Sequence, residues 1–138
     1  MKSTLRWTGD RTFLGQTESG HSIVIGAAHG DTPKPGPGAM ELVLMGAGTC
    51  SAFDVVGILE KGREPVEDVT VELEADRTET IPKVFTRIHL HFIVKGRGVN
   101  PAKVERAINL SVEKYCSATA MLEKTAEVTH GFEVVDTE

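Results

Sequence analysis

The chain has 138 residues, 40% hydrophobic and 25% charged, with a formal net charge of -5 at pH 7. That length suits a single domain over residues 1–138 with a real apolar core. The acidic balance, with one Trp, one Tyr and five Phe, speaks against nucleic acid or an anionic membrane as partner. Both select basic patches, and single strands also select stacking rings.

The first residues, Met1 to Trp7, contain no apolar signal core, so a cytoplasmic location is expected. Residues 3–9 and 21–27 read as short strands, with turn material at Thr8-Gly9-Asp10-Arg11 and Glu18-Ser19-Gly20. Residues 30–38 hold three prolines and three glycines and read as a connecting loop. From Met40 to about Lys61 the residues are apolar or small on nearly every side, which predicts a helix buried all round. Asp54 and several glycines interrupt this run, which disfavours a membrane span. One small monomer can hardly cover such a helix, so a partner subunit is expected to cover the rest. Gly62 after Lys61 marks its end.

Residues 67–77 alternate, with Val69, Val71 and Leu73 on one face, and predict a half-buried strand. Residues 84–95 predict a second, with Ile88, Leu90, Phe92 and Val94 on one side and Arg87, His89 and His91 on the other. The connection 78–83 makes the two an antiparallel hairpin. Asn100-Pro101 is a helix start, because Asn caps well and Pro suits the first helical position. Helical spacing runs through Val104, Ala107, Ile108 and Val112, and a second short helix is expected over 117–124. Residues 127–135 close the chain as a strand, with Val128, His130, Phe132 and Val134 on one face. The order is β–β–α–β–β–α–α–β, an α+β domain with antiparallel pairing.

The chain has two cysteines. In a chain without an export signal, such a pair is redox-active, catalytic or metal-binding, or each Cys is simply a small buried hydrophobe. Cys50 has small neighbours, Gly48, Thr49, Ser51 and Ala52, which let a substrate or another surface approach its sulfur. Cys116 lies near a helix start, where the helix dipole favours a thiolate. His89 and His91 share a strand face that reads as polar and solvated. No Cys–His spacing resembles a zinc site, so no metal is expected.

The stretch Met40-Glu41-Leu42-Val43-Leu44-Met45-Gly46-Ala47-Gly48-Thr49-Cys50-Ser51-Ala52 resembles the central-helix motif of the OsmC/Ohr family. Phe85-Thr86-Arg87-Ile88-His89-Leu90-His91-Phe92 resembles the strand before that family's second Cys segment, and Val112-Glu113-Lys114-Tyr115-Cys116-Ser117 resembles that segment itself. The resemblance runs from about residue 3 to 135. It implies an OsmC-like fold, with antiparallel curved sheets around a long central helix in an intertwined homodimer. It also implies a thiol-dependent peroxidase for organic hydroperoxides, and for hydrogen peroxide, serving oxidative-stress defence. Cys50 would be the peroxidatic thiol and Cys116 the resolving one. A dithiol would be the reductant, and no cofactor would be required.

Well-studied members carry a Glu ten residues before the first Cys, a position that Met40 holds here, with Glu41 one residue later. Nine helical steps amount to about two and a half turns, so a continuous helix points Glu41 away from Cys50 in its own chain. Those members also use an Arg from the N-terminal region, for which Arg11 stands at a suitable place. Asp54 falls one turn after Cys50, where a carboxylate would raise the thiol pKa. These departures keep a second expectation open, a non-catalytic dimeric module that binds a small apolar or thiol ligand.

Overall fold

A computed structural model describes residues 1–138. The chain is an α+β protein of two three-stranded sheets and one long helix. It divides into two compact units, Met1–Val43 and Leu44–Glu138.

The first unit is a meander of β1 (Ser3–Gly9), β2 (Thr12–Thr17) and β3 (Ser22–Gly26), all antiparallel. The sequence pattern predicts only two strands here, and β2 is a third that lies between them. Its segment Thr-Phe-Leu-Gly-Gln-Thr is short and holds a glycine, which masked its alternation. As the middle strand it needs that glycine. A Cβ on Gly15 would lie 3.2 Å from Ile25 Cδ1 and 3.3 Å from Leu5 Cδ2. The turn between β1 and β2 uses Gly9 at φ 109° and Asp10 at φ 49°. Only Gly adopts the first freely, and Asp tolerates the second better than most residues.

Helix α1 (Ala39–Lys61) begins in the first unit and continues through the second. Its buried residues, Ala47, Gly48, Ser51, Val55 and Leu59, recur every three to four positions and form one stripe. Met45 and Phe53 lie off that stripe and are 56% and 75% exposed. The single chain therefore covers one face of α1 and leaves much of the rest open. By length and composition alone α1 is also long and apolar enough to cross a membrane.

In the second unit, β4 (Val66–Arg77) pairs antiparallel with β5 (Phe85–Gly96), as the hairpin pattern predicts. Strand β5 is the centre of the core, with Ile88, Leu90, Phe92 and Val94 fully buried. The chain then crosses over through α2 (Pro101–Leu110), a π-helical turn (Ser111–Tyr115) and α3 (Ser117–Leu122). It returns as β6 (Glu127–Asp136), parallel to β5. The expectation of purely antiparallel pairing fails at this pair. A helical crossover carries the chain back to the end of the sheet where β5 started, and the next strand must then run in the same direction.

Candidate active site

The site is built from α1 and the helical crossover of the second unit. Helix α1 approaches β4 closely because Gly48 has no side chain. A Cβ there would lie 2.7 Å from Leu73 Cδ1. This seats the buried stripe of α1 and leaves Cys50 half-buried. An open apolar groove of about 290 Å³ runs between Met45, Gly48, Thr49 and Ala52 of α1 and Val69, Val71 and Leu73 of β4. It therefore borders the residues that immediately precede Cys50.

The crossover positions Cys116. Asn100 Oδ1 accepts the Ala102 N–H at 2.9 Å, the N-cap of α2, and Pro101 occupies the first turn. Helix α2 buries Val104, Ala107 and Ile108. One turn on, the helix widens into the π turn, which closes when the Cys116 N–H donates to the Ser111 carbonyl at 2.7 Å. Such widened turns frequently occur at functional sites. Cys116 is then extended, at φ -71° and ψ 108°, and becomes the N-cap of α3. Its sulfur accepts the Thr119 N–H at 3.4 Å and lies 3.9 Å from the Ala47 carbonyl of α1, one turn before Cys50.

Both cysteines are free thiols and their side chains are neighbours. Cys116 is 2% exposed. Burial pushes its thiol above the ordinary range, the Thr119 hydrogen bonds oppose that, and the adjacent Cys50 pushes it further up. The pair is thus asymmetric, with a half-buried Cys50 beside an enclosed Cys116.

Beside the thiols lies a polar cluster that the sequence pattern does not predict. Ser51 Oγ and Ser111 Oγ are 2.9 Å apart, and the Ser111 hydroxyl is 3.0 Å from Asp54 Oδ2 and 3.2 Å from the Ser51 carbonyl. With Ser111 donating to Asp54, the Ser51 hydroxyl completes a chain by donating to Ser111. Asp54, expected to press on Cys50, therefore has a partner of its own. The signal was present in the sequence. Ser51 and Ser111 each fall on an apolar helical stripe, where a polar group needs a partner.

Arg11 is exposed in the β1–β2 turn and makes no ion pair, and its carbonyl accepts the Ala27 N–H at 3.0 Å. Glu41, also exposed, sits in the first turn of α1. The Lys34 ammonium and the Gly38 N–H, 2.9 Å from its carboxylate, hold its pKa below the usual carboxylate range. Glu41 thus does the work of a helix-start acid, closing the α1 N-terminus. His89 and His91 are half-buried, with Thr129 Oγ1 2.7 Å from one ring and Glu133 3.9 Å from the other. No group of three His, Cys, Asp or Glu side chains converges as metal ligands would.

The chain is 50% identical over 135 residues to the protein YhfA of Escherichia coli K12, covering 98% of each chain. A solved structure of a hypothetical protein from Aquifex aeolicus is 33% identical, with a TM-score of 0.88 over 99% of this chain and 97% of that one. More distantly, an organic hydroperoxide resistance protein OsmC from Legionella pneumophila has the same fold. That match is 16% identical with a TM-score of 0.66, over 96% of this chain and 97% of that one. The family model described as OsmC-like protein matches residues 29–131. With three quarters of its length so matched and a full-length relative at half identity, the chain belongs to the OsmC-like protein family.

Proposed function

We propose that the protein is a homodimeric, thiol-dependent peroxidase that reduces organic hydroperoxides as part of oxidative-stress defence in the cytoplasm. The single observation that carries the reading is the asymmetric pair of free thiols, half-buried Cys50 on α1 and enclosed Cys116 at the head of α3. The Cys50 thiolate attacks the distal peroxide oxygen. The O–O bond breaks, an alcohol leaves with a proton, and Cys50 becomes a sulfenic acid. The Cys116 sulfur then displaces the sulfenic oxygen as water and a Cys50–Cys116 disulfide forms. A dithiol reductant returns both sulfurs to thiols and is itself oxidised to a disulfide. No metal or organic cofactor enters these steps.

The apolar groove between α1 and β4 suits the hydrocarbon part of an organic hydroperoxide better than it suits hydrogen peroxide. The name of the Legionella protein that shares the fold points the same way. The homodimer is supported by apolar side chains that the single chain leaves open, among them Met45 and Phe53 on α1 and Leu5, Trp7 and Phe13 on the first sheet. In this reading residues 1–138 form one OsmC-like domain, and Arg11 and Glu41 are supporting residues of the reaction.

The test is consumption of cumene hydroperoxide in the presence of a dithiol. Wild type is expected to turn over and Cys50→Ser to lose all activity. Equal rates in both proteins would end the peroxidase reading. A second reading, a non-catalytic module that binds a small apolar ligand, is favoured by the groove itself and by Met40 at the position of the family Glu. It predicts saturable ligand binding that survives in Cys50→Ser with no peroxide consumed.

A further inference from the structure

We propose that Ser111 is the positioning residue that sets the distance between the two thiols, by holding the π turn that carries Cys116 onto α1 beside Cys50. The inference rests on the reading of Cys50 and Cys116 as a working thiol couple. Its basis is geometric. The Ser111 carbonyl accepts the Cys116 N–H at 2.7 Å, so the backbone of this one residue anchors Cys116. Its side chain reaches the other way. The Ser111 hydroxyl meets Ser51 Oγ at 2.9 Å, the Ser51 carbonyl at 3.2 Å and Asp54 Oδ2 at 3.0 Å, all on α1. Ser51 follows Cys50 directly in the chain. Two hydrogen bonds through Ser111 therefore connect the residue next to one thiol with the backbone of the other.

The other polar contact between these segments, the Cys116 sulfur 3.9 Å from the Ala47 carbonyl, is long and weak. Hydrogen bonds are directional, and Ser51 and Ser111 are both fully buried, where losing a partner is costly. Asp54 completes the clamp from one turn further along α1, offering the Ser111 hydroxyl a carboxylate acceptor. Disulfide formation needs the two sulfurs within a narrow range of separation and angle, so small displacements of the π turn translate into large changes in closure.

The test reads the geometry of the pair without peroxide. The reduced protein is equilibrated with glutathione disulfide, so that the protein dithiol becomes an intramolecular disulfide and two glutathiones are released. The equilibrium constant reports the effective concentration of one thiol at the other. Ser111→Ala is expected to lower it at least tenfold, roughly the penalty of a small misplacement of reacting groups. Ser111→Thr, which keeps the hydroxyl, is expected to restore it to within about threefold of wild type. Asp54→Ala should lower it in the same direction. If Ser111→Ala does not fold, Ser51→Ala removes the same link from the α1 side. An unchanged constant in Ser111→Ala beside a lowered melting temperature would assign Ser111 a merely structural role and overturn the proposal. So would the absence of any intramolecular disulfide in wild type. A lowered constant in a protein that consumes no peroxide would retire the peroxidase reading and leave the positioning role standing.

Discussion

At the scale of single residues, the two cysteines differ because their surroundings differ. Cys116 is enclosed by α1, Thr119 and Cys50, and the cost of burying a thiolate raises its pKa in the folded state. A group whose folded pKa lies above its unfolded value stabilises the fold fully below the unfolded pKa. That contribution is lost as pH rises through the folded pKa. The unfolded thiol titrates near pH 8.5, so the reduced protein should lose stability from about that pH upward. Thermal melts of reduced wild type and Cys116→Ala between neutral and alkaline pH check this. The wild-type melting temperature is expected to fall more steeply, and parallel curves would remove the contribution of Cys116. The same shift bears on chemistry. Cys116 waits as a thiol at neutral pH, so resolution of the sulfenic acid should speed up with rising pH.

At the scale of elements, glycine placement decides how closely segments approach. Gly96 ends β5, where a Cβ would lie 2.1 Å from the Pro65 carbonyl oxygen, a backbone atom that cannot swing away. Gly96→Ala is expected to destabilise the protein by about 3 kcal/mol, the upper range for overpacking, as read from urea unfolding. A loss too small to measure would mean that the β4–β5 end adapts freely. The same scale shows what the sequence disclosed. Long periodic segments were legible: α1 from its apolar run, β4 and β5 from their alternation, and the start of α2 from Asn100-Pro101. Strand β2 was not, because Gly15 blunts its pattern, nor was the parallel return of β6, because pairing direction depends on the path of the crossover. Within the site, Cys50 and Cys116 stood out by residue type and motif. The Ser51–Ser111–Asp54 link did not, because it joins residues 57 to 60 apart that only the folded crossover brings together. Arg11 and Glu41 are candidates by resemblance; the Arg11 carbonyl pairs with the Ala27 N–H, and Glu41 pairs with Lys34 and Gly38.

At the scale of the whole molecule, the single chain is incomplete in hydrophobic terms. Phe53 on α1 is 75% exposed and Trp7 on β1 66% exposed, and burying such side chains is worth about 1.5–3 kcal/mol each. A second copy is the occupant that the proposed function requires, with an interface above about 2,000 Å² in the obligate range. Light scattering at micromolar concentration should give the mass of a dimer. Phe53→Glu, which places a charge in that surface, should shift the population toward monomer. A well-folded wild-type monomer would remove the dimer from the account.

The central claim is that Cys50 is oxidised by peroxide and Cys116 resolves it, and intact mass after one equivalent of cumene hydroperoxide tests it most directly. Wild type is expected to lose two hydrogens per chain, the signature of an internal disulfide, and to regain them with a dithiol. Cys116→Ser should instead gain one oxygen, trapped as a sulfenic acid on Cys50, and Cys50→Ser should keep its mass. A wild type that keeps its reduced mass, or that gains oxygen with no loss of hydrogen, would contradict the account.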